Sequence, residues 1–183
     1  MKATAKPKPG EQGKKEALLI IDMLHDFVEK GATLEVPKAR GIVNNIKREL
    51  EKARNAGIPV IYCCDRHDPD DREFKAWPPH AIRGTKGAEI IEGLRPMKGE
   101  HVVAKRTLSA FYGTILDRVL KRLGVGHIIL TGVVTNICIL YTAVDAYMRG
   151  YEVTIPEDCV AGLKPEDHRF ALRQIKEVLK LTK

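Results

Sequence analysis

Four short apolar runs, each closing on a polar residue or a glycine turn, set the limits on how this chain folds. Ala17–Ile21 runs into Asp22, Val60–Cys64 into Asp65, His101–Ala104 into Lys105, and His127–Leu130 into Thr131-Gly132. Runs this short and this continuously apolar suit strands buried on both faces, as in a parallel sheet. Between them, Ile42, Val43, Ile46, Leu50 and Ala53 recur at helical spacing, and Gly57 ends that helix before Pro59. Further helices are expected over Ile115–Leu123, from Cys138 to about Arg149 with Gly150 closing it, and from Pro165 to about Leu179; a further strand is expected over Glu152–Ile155. Strands alternating with helices predict an α/β fold, a three-layer α/β/α sandwich around a mostly parallel sheet. In such sheets ligands sit beyond the carboxyl ends of the strands. Asp22, Asp65, Lys105 and the turn before Cys138 all fall there.

A chain of 183 residues fits one domain, and 44% hydrophobic with 30% charged residues is the composition of a soluble globular protein. No apolar run approaches the roughly 20 residues needed to span a bilayer, and the N-terminus lacks the apolar core of a signal peptide. No membrane association is expected. The four cysteines are Cys63, Cys64, Cys138 and Cys159. Two are neighbours on one strand and face opposite sides, so no disulfide framework is expected, and the compartment reads as reduced and cytoplasmic. The formal net charge of +7 raises nucleic acid as a partner. Part of that charge lies in residues 1–16, rich in Lys, Pro and Gly and expected to form a disordered basic tail before a domain at 17–183. Elsewhere basic residues alternate with acids and no aromatic-interleaved basic stripe occurs, so nucleic-acid binding is not expected.

Cys138 follows the fourth run where a helix should begin. A helix N-terminus favours a thiolate and offers N–H groups to an oxyanion, although a free cysteine is equally at home as a small buried hydrophobe. Asp22 and Lys105 alone read as a turn or cap residue and a solvated lysine. Brought together at three strand ends they form a chemical set. An ammonium favours the thiolate, and a carboxylate can take the thiol proton and return it to a leaving amine.

Three blocks resemble those of the isochorismatase-like cysteine hydrolases: Leu19-Ile-Ile-Asp-Met-Leu-His-Asp-Phe27, Lys105-Arg-Thr-Leu-Ser-Ala-Phe-Tyr-Gly-Thr114 and Gly132-Val-Val-Thr-Asn-Ile-Cys138, the last continued by Thr142-Ala-Val-Asp-Ala-Tyr147. The resemblance runs from about Ala17 to Val160. It implies a six-stranded α/β fold and an Asp–Lys–Cys triad matching Asp22, Lys105 and Cys138. It also implies a cis bond between Val133 and Val134, with the N–H groups of Val134 and Cys138 as the oxyanion hole. Dimers or tetramers are common in that family, so a homo-oligomer is expected.

Asp65-Arg-His67, followed by Glu73-Phe-Lys-Ala-Trp-Pro-Pro-His80, narrows the reading. An Asp-x-His pair with a second histidine on the next loop supplies three ligands to a divalent metal and leaves positions open; either histidine alone would pass as an ordinary loop residue. The spacing resembles the metal site of nicotinamidases, with Asp65, His67 and His80 as ligands. Glu73 stands where some of them supply a further carboxylate. Phe27 and Trp77 fall where aromatic residues flank the substrate ring, though both also suit core packing. Zinc comes first among candidate metals, with iron and manganese behind it. The chain departs from the resemblance at Leu24 and His25, where many relatives carry a polar pair, and at Ala81, where nicotinamidases often have Cys. The Gly84-Thr-Lys-Gly-Ala-Glu89 run is shared by other branches. The expected activity is hydrolysis of nicotinamide, a small-molecule amide, to nicotinate and ammonia through a cysteine thioester. Hydrolysis of a carbamoyl or ureido amide, or an isochorismatase-type reaction, is the alternative.

Overall fold

A computed structural model describes residues 14–181; the expected tail over residues 1–13 lies outside the described residues. Six strands build one sheet: β1 Lys15–Ile21, β2 Val60–Asp65, β3 His101–Lys105, β4 Val125–Val133, β5 Glu152–Thr154 and β6 Val160–Ala161. The order is β3-β2-β1-β4-β5, with β6 beside the end of β4, and every pairing is parallel rather than mostly so. Among the described residues no helix is long and apolar enough to cross a membrane.

The sandwich follows from strand periodicity. Leu18, Ile20, Tyr62 and Cys64 point to one face, where α2 (Ala39–Asn55) lays down its buried stripe of Ile42, Ile46, Leu50 and Ala53. Leu19, Ile21, Ile61 and Cys63 point to the other, against α3 (Leu116–Leu123) and α4 (Leu140–Met148). The two adjacent cysteines therefore belong to opposite core layers, and both are free thiols. Two further helices complete the described fold, the short α1 (His25–Val28) after the first strand and α5 (Pro165–Arg173) near the end.

Element limits differ from expectation in several places; the helix expected from Pro165 to about Leu179, for one, is α-helical only to Arg173 and continues as a π-type turn over Gln174–Val178. Strand β1 begins at Lys15, inside the segment expected as tail. β4 starts at Val125 and reaches Val133, well past Leu130. Thr131 stays in the strand because its hydroxyl donates to the Leu19 carbonyl at 3.0 Å. Gly132 stays because β1 and β4 converge there. Its φ is +113°, and a Cβ on it would lie 2.0 Å from the Ile21 carbonyl oxygen. Finally, Cys138 sits not in an α-helix but in a wide π-type turn, Thr135–Ile139, inserted between β4 and α4.

Gly150 also has positive φ (+84°), but nothing lies within 4 Å of its missing side chain. Gly150→Ala should therefore cost only the left-handed backbone, about 1–2 kcal/mol. Gly132→Ala adds a collision between strands and should cost roughly 2–5 kcal/mol. Urea unfolding of the two variants checks this, and equal midpoint shifts would contradict the close approach.

Candidate active site

The four carboxyl ends of β1, β2, β3 and β4 deliver the site. Asp22 leaves β1 with φ +51°, a left-handed conformation that Asp tolerates better than most residues. Its N–H bonds the Cys63 carbonyl at 3.0 Å, and its Oδ1 accepts from the Asp65 N–H at 2.8 Å. Asp65 and Lys105 are register partners at the ends of β2 and β3. The Lys105 side chain turns inward, fully buried, and places Nζ 2.7 Å from Asp22 Oδ2, 2.7 Å from Asp65 Oδ1 and 3.3 Å from Cys138 Sγ. It also donates to the Thr107 carbonyl at 3.3 Å. The loop after Lys105 is tied to α4 in turn, with Ser109 Oγ donating to Asp145 at 2.6 Å and the Ala110 N–H to Thr142 Oγ1 at 3.0 Å. The structure thus brings Asp22, Lys105 and Cys138 together, and Asp65 joins them.

Burial and charge set the protonation states. Burial and the neighbouring Asp65 carboxylate outweigh Lys105 and push Asp22 up to about 6. Burial also pushes Asp65 up, but Lys105 and His67 win and hold it below the ordinary carboxylate value. Burial works against the Lys105 ammonium, yet Asp22, Asp65 and Cys138 hold its pKa well above normal, so it stays charged. For Cys138, burial overrides the nearby ammonium and raises the thiol well above its ordinary value. The thiolate expected at this turn is therefore not the resting form. The group is a neutral thiol with a carboxylate within 4.8 Å.

Cys138 turns on a tight frame. The N–H groups of Ile137 and Ile139 both bond the Val134 carbonyl, at 3.0 and 3.2 Å, and the Val133–Val134 peptide is cis. Buried Thr135 in the same turn meets His168 Nδ1 of α5 at 2.8 Å.

Asp65, His67 and His80 form a second cluster, with one ligand atom from each lying within 4.8 Å of the others. His67 Nδ1 faces Asp71 Oδ2 at 3.2 Å, and His80 Nδ1 faces the Pro78 carbonyl at 2.8 Å. Both partners only accept, so each ring holds its proton on Nδ1 and turns an Nε2 lone pair toward Asp65. Those nitrogens lie 3.8 and 3.9 Å from the Asp65 oxygens, and His67 Nε2 is buried without a hydrogen-bond partner. Two imidazole lone pairs and a carboxylate aimed at one point fit a divalent first-row metal. Asp22, Asp65 and Cys138 are also mutually close, but each of them touches the Lys105 ammonium, which would repel a cation there. Glu73 lies outside the cluster and lines the adjoining pocket instead.

That pocket is lined by Cys138 and Val134 together with Phe27 and Trp77. The Phe27 ring stands edge-on to His80, centroids 5.5 Å apart. Leu34, Ile137 and Leu163 make the rest of the wall apolar, and the charged side chains lining it, Asp65 and Glu73, are both carboxylates.

Sequence reasoning missed several parts of this arrangement. Asp71, four residues after His67, orients that ring and is itself held by Arg106 Nε at 2.8 Å; despite partial burial, the Glu73 N–H, His67 and Arg106 bring it down to about 2. The spacing from His67 was its only sequence signal. Phe74 packs on both imidazoles, with centroids 5.4 and 5.7 Å away. Leu34 and Leu163 come from distant segments and look like ordinary core residues.

The isochorismatase domain matches residues 16–182. The chain is 39% identical to an uncharacterized isochorismatase family protein of Bacillus subtilis, covering 90% of each chain. It is 35% identical to a probable inactive nicotinamidase of Arabidopsis thaliana, covering 92% of this chain and 91% of that one. Among solved structures it resembles the pyrazinamidase/nicotinamidase of Streptococcus mutans (37% identity, 91% and 98% covered, TM-score 0.86). It also resembles the pyrazinamidase of Pyrococcus horikoshii in complex with zinc (31%, 92% and 97%, 0.86) and the N-carbamoylsarcosine amidase of Thermoplasma acidophilum (34%, 92% and 95%, 0.84). The chain belongs to the isochorismatase family of hydrolases.

Zinc, followed by competition with a chromophoric chelator, is expected to bind the wild-type chain. Were His67 and His80 direct ligands, His67→Ala or His80→Ala would weaken it beyond the roughly 10–100-fold typical of an outer partner such as Asp71. Burial pushes His67 down, but the charges of the Asp65 and Asp71 carboxylates hold its pKa above the usual histidine value. Below that raised value the proton competes with the metal, so affinity should fall as pH falls. A pH-independent affinity would show that His67 is not a ligand.

Proposed function

We propose that this chain hydrolyses nicotinamide to nicotinate and ammonia, with Cys138 as nucleophile. The observation that carries the substrate choice is the charge of the pocket wall. Its charged lining groups are carboxylates, and the one nearby ammonium is buried in ion pairs. A substrate bearing its own carboxylate, such as N-carbamoylsarcosine, would meet repulsion and no arginine or lysine clamp. A flat, uncharged heteroaromatic amide fits between Phe27 and Trp77 and gains stacking there.

A divalent ion held by Asp65, His67 and His80 would supply a Lewis acid for the ring nitrogen. The chemistry at the amide falls to the protein. Asp22 takes the Cys138 proton as sulfur attacks the carboxamide carbon, and its pKa near 6 suits a base working close to neutrality. Lys105 stays protonated and offsets the negative charge that moves between sulfur and carboxylate. The N–H groups of Val134 and Cys138 receive the tetrahedral oxyanion, each such donor being worth about 3 kcal/mol in hydrolases. Asp22 then gives its proton to the nitrogen, the C–N bond breaks and ammonia leaves. Water adds to the thioester with Asp22 accepting its proton. The C–S bond breaks, nicotinate departs, and the proton returns to sulfur.

Ammonia release from nicotinamide by zinc-replete protein tests the reading. Cys138→Ala should abolish it, and Asp22→Asn should lower kcat by about 10²–10⁴-fold with the fold retained. Turnover of carbamoyl or ureido acids in place of nicotinamide would refute the substrate and keep the family chemistry. Near-wild-type turnover by Cys138→Ala would refute the covalent route.

A further inference from the structure

Behind the two histidines the backbone is gripped by a carboxylate that has no part in the chemistry above. Asp26 lies in α1 beside Phe27, and its Oδ2 accepts the Ala81 N–H at 2.8 Å. Ala81 directly follows His80, is fully buried, and holds φ +45°. Its carbonyl accepts the His67 N–H at 3.1 Å, and the His67 carbonyl accepts the Arg83 N–H at 2.9 Å. Ala81 is therefore joined to both histidines, to His80 through the chain and to His67 through a hydrogen bond. A left-handed alanine persists only where its surroundings fix it, and Asp26 supplies that fixation.

Gly87 makes room for the grip. A Cβ there would lie 2.2 Å from Asp26 Oδ2 and 2.4 Å from its Cγ, so the carboxylate fills the space of the missing side chain. Flanking contacts dock the same loop: the His25 N–H bonds the Glu89 carbonyl at 3.0 Å, and Leu24 bridges to Ile90. The next residue along α1, Phe27, places its ring against that of His80. One short helix thus meets the His80 limb through both its backbone and its ring.

Building on the metal-site reading above, we propose that Asp26 is a positioning residue for that centre: through the Ala81 N–H it sets the separation of the His67 and His80 ligands, and residue 87 is glycine to admit it. Zinc affinity is measured by chelator competition on full-length wild type, Asp26→Ala, Asp26→Asn and Gly87→Ala, with thermal midpoints of the metal-free proteins alongside. Asp26→Ala and Gly87→Ala should bind zinc about 10–100-fold more weakly, the loss typical of an outer partner. Asp26→Asn, whose amide oxygen can still accept the Ala81 N–H, should stay close to wild type. A lower midpoint for Asp26→Ala with unchanged zinc affinity would mark Asp26 as a mere staple and overturn the proposal. Wild type that binds no zinc would overturn the metal-site reading and this proposal with it. Hydrogen exchange at the Ala81 amide of the wild-type protein needs no variant. Protection is expected, and exchange at the rate of an open loop would sink the grip.

Discussion

A single buried ammonium organises this molecule's working end. Lys105 Nζ sits between two carboxylates and a thiol with no exposure to solvent. Taking each ion out of water costs several kcal/mol, and only close opposite charges and hydrogen bonds offset that. Removing one charge of the set leaves the others less well compensated. Without Lys105, Asp22 and Asp65 would face each other as buried like charges; without either carboxylate, the ammonium would lose half of its counter-charge. The chain satisfies this demand by placing charged residues at neighbouring strand ends: backbone register pairs Asp65 with Lys105, and the Asp65 N–H bonds Asp22, which directly follows β1.

Asp65 links two chemistries that the sequence presents as separate. One of its oxygens serves Lys105 and both approach the histidine lone pairs. A cation placed at the histidines would be felt at Cys138 through this one carboxylate, because charge drawn from Asp65 would loosen its hold on the ammonium. The split between Asp22, pushed up, and Asp65, held down, belongs to this shared arrangement rather than to either residue alone.

The central strands β1 and β2 were legible because they are buried on both faces and read as unbroken apolar runs, whereas the edge strand β3, expected to be buried on both faces, exposes His101, Val102 and Ala104 because no strand pairs beyond it. β4 was a further exception. Thr131 and Gly132 look like a turn in one dimension, whereas in three the threonine hydroxyl bonds a neighbouring strand and the glycine admits its carbonyl. The two-residue β6 leaves no periodic trace. In the site, Asp22, Lys105, Cys138 and the Asp-x-His pair stood out because unusual chemistry concentrates at strand ends. Asp71, Phe74 and Asp26 did not, since they act through backbone or ring contacts made across loops. For Cys138, proximity to positive charge is visible in a pattern of residues, but the depth of burial that opposes ionisation is not.

That burial has a consequence for handling the protein. Peroxide and alkylating reagents attack thiolates, and Cys138 at rest is a neutral thiol only 7% exposed behind an apolar wall. Slow modification of Cys138 by such reagents is the expected consequence of that burial.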